Sequence, residues 1–344
     1  MNPSMDMPTA LNLVLEGKSL SQADAFSVFN EVLHGKIDSI PLTALLVALK
    51  LKTESPDEIA GAARAMIANA LPFPTPSYPF VDVVGTGGDG HNTINISSAA
   101  AILAAACGVK VAKHGNKSVS SKSGSADLFA ACGVNLTMSP EIARKCLDNT
   151  GLCFLFAPVY HSGMKHVMPV RTQLKTRTVF NILGPLVNPA NPSHSLLGVY
   201  SPHLLDVYAE TLMLMGQHKA MIVHGDGLDE LALHGESTIV ELDHGDKRVL
   251  TVTSKDFGLP SYPISDIEGG EPEVNKMLIM DALNGEGKEA HKAAIAMNCS
   301  ALLVLSGLAK SFSQGTELAM NVMKQGKAID LLARTAELSN GGKC

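Results

Sequence analysis

Four glycines stand within six residues at Gly85-Thr86-Gly87-Gly88-Asp89-Gly90. Glycine tolerates unusual backbone torsions and lets main-chain N–H groups approach an anion closely. The stretch satisfies the G-x-G-x-x-G pattern of dinucleotide-binding turns. It follows Phe80-Val81-Asp82-Val83-Val84, which predicts a short buried strand. Two features argue against a dinucleotide. The polar segment His91-Asn92-Thr93-Ile94-Asn95-Ile96-Ser97-Ser98 intervenes where a dinucleotide-binding helix would already have begun. About 20 residues on, where an acid should address a ribose, the chain reads Lys113-His114-Gly115-Asn116-Lys117, basic and amide-bearing. A phosphorylated ligand fits instead. Thr93, Asn95, Ser97 and Ser98 offer four side-chain donors at a predicted helix start, where a cap needs one and the dipole favours negative charge.

The theme returns downstream. Lys113 to Asp127 packs three lysines and five serines into fifteen residues before a helix. It follows a predicted strand, so it projects from the carboxyl edge of the sheet, beside the glycine loop, where open α/β sheets bind ligands. Two donor-rich loops on one edge suggest two anionic groups, such as a phosphate and a pyrophosphate. A third strand-and-turn, Ala220 to Glu230, brings Asp226, Asp229 and Glu230. Carboxylates beside a polyphosphate site are reconciled with it by bridging Mg²⁺. A fourth stretch, His161 to Arg171, supplies an Arg suited to a substrate carboxylate. These residues alone point to a Mg²⁺-dependent enzyme acting on a small, polyphosphorylated substrate.

The elements that must position them form two groups. Residues 1–71 read as helices. Ser21-Gln22-Ala23-Asp24 starts one whose apolar face carries Ala25, Val28, Phe29 and Val32, and Ser55-Pro56-Asp57-Glu58 starts another. The proline-rich Leu71 to Pro79 reads as a linker. Beyond it, strands are expected at Val81–Val84, Val109–Ala112, Leu152–Phe156, Leu196–Tyr200, Ala220–His224 and Leu302–Leu305. Helices are expected near Ser98, Asp127, Ser139 and Ser201, the last two opened by Ser-Pro caps. This alternation predicts a mostly parallel sheet covered by helices. Residues 171–191 read as an excursion off the sheet, and 242–275 as a loop or small β segment.

Bulk properties narrow the partners. The 344 residues are 46% hydrophobic and 17% charged, with net charge −6, aromatics at 4% and no Trp. Disorder, stacking platforms for single strands and nucleic-acid binding are disfavoured. The six cysteines show no metal-ligand spacing. No membrane span and no signal peptide are read, so a soluble cytoplasmic protein is expected.

In GTGGD (85–89), NISS (95–98), KHGN (113–116), SGSAD (123–127), MPVR (168–171), RTVFNILGPLVNP (177–189) and LDE (228–230), taken together and in order, the chain resembles the anthranilate phosphoribosyltransferase family. The resemblance runs almost end to end. It implies a small helical N-terminal domain (1–71) that also recruits the excursion around 171–191. Beside it would stand a larger α/β domain (72–344) with a mostly parallel central sheet, of the nucleoside phosphorylase/phosphoribosyltransferase kind. A homodimer built through the small domains is implied as well. The implied reaction joins anthranilate to 5-phosphoribosyl 1-diphosphate, with two Mg²⁺ ions per monomer. Carried over by motif, Gly85, Gly88, Asp89, Thr93, Asn95, Ile96, Ser97, Ser98, Lys113, His114, Gly115, Asn116, Lys117, Ser118, Val119, Ser120, Ser121 and Ser125 would contact the phosphoribosyl donor. Ser97, Asp229 and Glu230 would hold metal, and Gly85, Asn116 and Arg171 would handle anthranilate. No general base is assigned. Lys117 stands where the family often has Arg, and Ser162-Gly163 where Pro-Ala is common. The rival readings are a pyrimidine nucleoside phosphorylase, which needs neither the acid pair nor an Arg, and a non-catalytic nucleic-acid-binding paralogue, which predicts a basic surface.

Overall fold

The computed structural model describes residues 5–118 and 122–342. The chain opens with four helices, α1 (Met7–Leu15), α2 (Gln22–Leu33), α3 (Ser39–Lys52) and α4 (Pro56–Ala68). Ser21 caps α2 by accepting from the Asp24 N–H. At α4 the cap is reciprocal: Ser55 accepts from the Glu58 N–H, and the Glu58 carboxylate accepts from the Ser55 N–H at 2.8 Å. Glu58 is also the buried anchor of this bundle. It pairs with Lys52 at 2.9 Å and accepts from the Leu20 N–H at 3.0 Å. The predicted face of α2 is buried at Ala25, Val28, Phe29 and Val32.

A seven-stranded sheet follows: β1 (Val81–Gly85), β2 (Val111–Gly115), β3 (Leu152–Phe156), β4 (His194–Gly198), β5 (Lys219–Gly225), β6 (Ser237–Asp243) and β7 (Asp246–Val252). Its order is β3-β2-β1-β4-β5-β6-β7. The first five strands run parallel, and β6 and β7 close one edge antiparallel. The connecting helices are α5 (Ile96–Ala106), α6 (Ser125–Ala131), α7 (Pro140–Thr150), α8 (Ala157–Tyr160), α9 (Met168–Leu174) and α10 (Leu204–Met215). Four more complete the chain: α11 (Pro272–Leu283), α12 (Glu289–Leu305), α13 (Phe312–Lys324) and α14 (Lys327–Ser339).

Three expectations are corrected, and one strand had not been expected. Leu302–Leu305 is the last turn of α12, not a strand; this helix is buried on nearly every side, so its apolar end carries no amphipathic signal. Residues 237–243 form β6, which strand–helix alternation concealed. Ser201-Pro202 does not cap α10, which starts at Leu204 behind His203; Ser139 does cap α7. The strand expected at Val109–Ala112 runs instead over Val111–Gly115, so Lys113 and His114 lie inside the sheet and not in the loop beyond it.

Two cores hold these layers. One packs α5, α7, α12 and neighbouring helices against one face of the sheet. The other joins α1–α4 to Val167, Val170, Val179, Phe180, Leu183 and Leu186, and to Leu197, Tyr208 and Ile222. Within it, Phe29 and Phe180 meet edge to face, ring centroids 5.8 Å apart. The linker is strapped to the body: the Leu71 N–H donates to the Tyr160 carbonyl at 2.8 Å and Thr75 Oγ1 to the Ala190 carbonyl at 3.2 Å.

Candidate active site

The carboxyl ends of β1, β4 and β5 converge on one carboxylate. Asp229, in the turn after β5, sits between the ends of β1 and β4, its Oδ2 accepting from the Gly87 N–H at 2.6 Å. A Cβ at Gly85 would lie 2.1 Å from Asp229 Oδ2, and one at Gly198 only 1.5 Å from the Asp229 carbonyl oxygen. Both strand ends must therefore be glycine. Asp89, from the glycine loop, brings its carboxylate to Asp229 and Glu230, all three with oxygens within 4.8 Å of one another. Ser97 lines the same small cavity.

The electrostatics of this cluster are out of balance. Burial, then the charge of Asp89, pushes the Asp229 carboxyl up to about 6, and burial, then Asp229, raises Glu230 well above the usual range. Lys113, 1% exposed, offsets part of this charge at Glu230, and its Nζ donates to the Val83 carbonyl at 2.5 Å. Burial lowers its pKa, while Asp82, Glu230 and Asp229 raise it. Asp82 completes the layer beneath, accepting from the His114 N–H at 3.1 Å and from Asn188 Nδ2 at 2.8 Å. Three converging carboxylates, with one buried ammonium beneath them, fit a divalent cation that prefers oxygen ligands. The absence of His and Cys from the cluster suits Mg²⁺ better than Zn²⁺.

Around this cluster stand residues that the sequence singled out as anion donors. Asn95 precedes α5 without capping it. Its amide instead donates to the Ser123 carbonyl at 2.9 Å and accepts from Ser123 Oγ at 3.1 Å and Asn275 Nδ2 at 2.9 Å. Among the described residues, the first-turn amides of α5 are thus left without a side-chain cap and the buried Ser98 hydroxyl has no partner, while Ile96 is buried in the core. Thr93 forms an isolated bridge to Glu268. After β2, the Asn116 carbonyl accepts from Ser125 Oγ at 3.2 Å, and Asp127 accepts from the N–H groups of Ser118 and Gly124. A Cβ at Gly115 would lie 2.3 Å from Ser125 Oγ. Lys117 and Asn116 are exposed. Val119, Ser120 and Ser121 lie outside the described residues.

The excursion reaches the glycine loop through Arg177, which donates to the Gly88 carbonyl. Arg171, on α9, is half-buried, its guanidinium 6.0 Å from the Phe180 ring. His114 turns its ring toward the excursion and not toward the donor-rich loops. It stands 5.3 Å from His161, edge to face, and Nδ1 donates to the Gly184 carbonyl at 3.3 Å. Burial pushes its pKa down to about 3, so the ring is neutral and Nε2 remains an acceptor. Sequence reasoning missed the second role of Asp89, whose place in the acid cluster depends on how the glycine loop turns. It also missed Asn275, which lies in an ordinary-looking helical stretch.

Comparison with known proteins decides the family. Residues 77–329 match a glycosyl transferase family a/b domain, and residues 8–70 the helical bundle domain of that family. Over 330 residues the chain is 52% identical to the anthranilate phosphoribosyltransferase of Aeromonas hydrophila, covering 96% of each. The chain belongs to the anthranilate phosphoribosyltransferase family. Among solved members of this family, the Thermus thermophilus enzyme superposes with a TM-score of 0.91 at 41% identity, covering 96% of this chain and 99% of that one. The Saccharomyces cerevisiae enzyme, solved in complex with PRPP and Mg, gives 0.89 at 28% identity, covering 97% and 98%. The same yeast enzyme has been solved with 4-fluoroanthranilate.

Proposed function

We infer that the protein transfers the 5-phosphoribosyl group of 5-phosphoribosyl 1-diphosphate to the amine of anthranilate, releasing pyrophosphate, in tryptophan biosynthesis. The observation that carries this reading is the cluster of Asp89, Asp229 and Glu230 at the mouth of two donor-rich loops, in a chain of this family. Either rival fits that cluster poorly: inorganic phosphate and a neutral base call for no buried acid pair, and a nucleic-acid surface would exclude one.

The amine nitrogen forms its bond to the ribosyl carbon as the bond to the pyrophosphate oxygen breaks, and the amine proton leaves to solvent. When bound, Mg²⁺ offsets charge on the departing pyrophosphate. Asp89, Asp229 and Glu230, with the Ser97 hydroxyl, would hold it. Mg²⁺ is commonly held by one or two carboxylates, so this donor set supports two ions per monomer. The open amides of α5 and the donors of Thr93 to Ser98 and Lys113 to Ser125 form the phosphate cradle in this reading. Within it, Lys113 acts from beneath the site as a fixed charge. Arg171 pairs with the anthranilate carboxylate, with Gly85 and Asn116 lining the acceptor side. Positioning, not a strong base, drives the attack.

The same reading assigns 1–71, with the excursion around 171–191, to a helical unit that pairs two copies of the chain. Its support is a set of exposed apolar side chains on that unit, Leu15 at 65% and Ile40 and Leu51 at 81%. A cytoplasmic location is consistent with the described residues, among which no helix is long and apolar enough to cross a membrane. The deciding assay follows anthranilate fluorescence with donor and Mg²⁺. Loss of signal that EDTA abolishes is expected. Unchanged signal with folded protein, together with phosphorolysis of thymidine or uridine, would move the assignment to the phosphorylase.

A further inference from the structure

The glycine loop is tied down at its start and, at its apex, by a residue from the excursion. The Thr86 N–H donates to the Gly198 carbonyl at 2.9 Å, and Thr86 Oγ1 accepts from the Tyr200 N–H at 3.0 Å. At the apex, Arg177 Nη2 donates to the Gly88 carbonyl. The same guanidinium lies 4.0 Å from the centroid of the Tyr200 ring, within cation–π range. Thr86, Tyr200, Arg177 and Gly88 thereby close a circuit around the loop. Gly87, Gly88 and Gly90 all take positive φ, at 67°, 76° and 89°, so the loop's own torsions impose little. Gly88 has scant room for a side chain, since a Cβ there would stand 3.3 Å from Arg177 Nη2.

A trans peptide points its C=O and the following N–H in opposite directions. With the Gly88 carbonyl turned onto Arg177, the Asp89 N–H faces away from it, and the Asp89 carboxylate is delivered to Asp229 and Glu230. Arg177 follows α9 and its Arg171, so the glycine loop is fastened to the segment that carries Arg171. We propose that Arg177 is a positioning residue for the phosphoribosyl donor. It fixes the Gly88–Asp89 peptide in the form that receives the donor's charged groups, and the Tyr200 ring holds the guanidinium in place. This rests on the glycine loop being the donor site, as read above.

The test compares Arg177→Ala, Arg177→Lys, Tyr200→Leu, Tyr200→Phe and the double variant Arg177→Ala/Tyr200→Leu, each checked for its melting transition. Losing a charge-assisted bond should raise the donor KM about tenfold to a hundredfold, with the anthranilate KM within about twofold. Lys keeps the charge but neither the planar face nor the fork, so it should recover less than half of the loss. Tyr200→Phe should stay closer to wild type than Tyr200→Leu. The double variant should be no worse than Arg177→Ala alone, because both break one circuit. An unchanged donor KM, an equal rise in the anthranilate KM, or additive losses would each overturn the proposal. Calorimetric titration with Mg²⁺ and pyrophosphate keeps the two readings apart. If wild-type protein consumes no anthranilate, the functional reading fails, while about tenfold weaker pyrophosphate binding by Arg177→Ala still upholds the positioning role and equal binding refutes it. Should Arg177→Ala not fold, Arg177→Gln and Tyr200→Leu carry the same comparison.

Discussion

Asp229→Asn should stabilise the metal-free protein and cripple the enzyme, two opposite signs from one substitution. Asp229 is 7% exposed, and burial first, then the charge of Asp89, raises its pKa from 3.8 to about 6. That change corresponds to about 3 kcal/mol carried by the charged form. Because the folded pKa lies above the unfolded one, the folded state binds more protons between about pH 4 and 6. Stability from this group therefore rises as pH falls through that window and is lost as pH rises through about 6. At neutral pH the whole cost is present. Asn carries no charge, and its side-chain carbonyl can still accept the bond that Gly87 N–H now makes at 2.6 Å. Metal-free Asp229→Asn should melt higher by about 3–5 °C for a chain of this size. Turnover should fall about a hundredfold or more with the loss of one anionic ligand. Scanning calorimetry in EDTA and in Mg²⁺, beside the fluorescence assay, reads both. A variant that melts below wild type in EDTA, or one that responds to Mg²⁺ as wild type does, would refute the reasoning.

Three further substitutions probe what holds the site. Gly198→Ala places a methyl 1.5 Å from the Asp229 carbonyl oxygen, where backbone must move; a loss of about 1–3 kcal/mol by urea titration should accompany near-complete loss of activity. Asn275→Ala leaves the Gly270 N–H and Asn95 Oδ1 without the bonds they now make at 2.7 and 2.9 Å. It should cost about 1–3 kcal/mol and raise the donor KM, both measurable on one preparation. Glu58→Ala strips Lys52 and the Leu20 and Ser55 N–H groups of their shared acceptor. The expected loss is about 3–5 kcal/mol in chemical denaturation, with KM values of the surviving folded enzyme near wild type.

The sequence made the local rules visible and hid what depends on long-range packing. Ser21 and Ser55 announce their helices because a cap is a three-residue affair. The glycine loop, the lysine–serine loop and the Asp229-Glu230 turn each showed their chemistry in residue type, and a parallel sheet put them on one edge. Leu302–Leu305 misled because a helix buried all round has no polar face to set its period. Lys113 read as a loop residue since nothing local shows that Asp82 and the Val83 carbonyl, 30 residues away in the chain, receive it inside the sheet. Asp89 was legible as a loop acid, but not as a neighbour of Asp229, since that depends on the left-handed torsions of Gly87 and Gly88 and on Arg177.

The second core has a history written into its order along the chain. Phe29 and its neighbours on α2 and α4 are covered by Val179, Phe180 and Leu186. Synthesis at 5–20 residues per second puts those covering residues on the ribosome about 6 to 24 seconds after α4 is finished. Through that interval the first four helices leave the exit tunnel with an apolar flank bare. A chain arrested before Val179 should be cut by protease within α2, where the completed chain is protected.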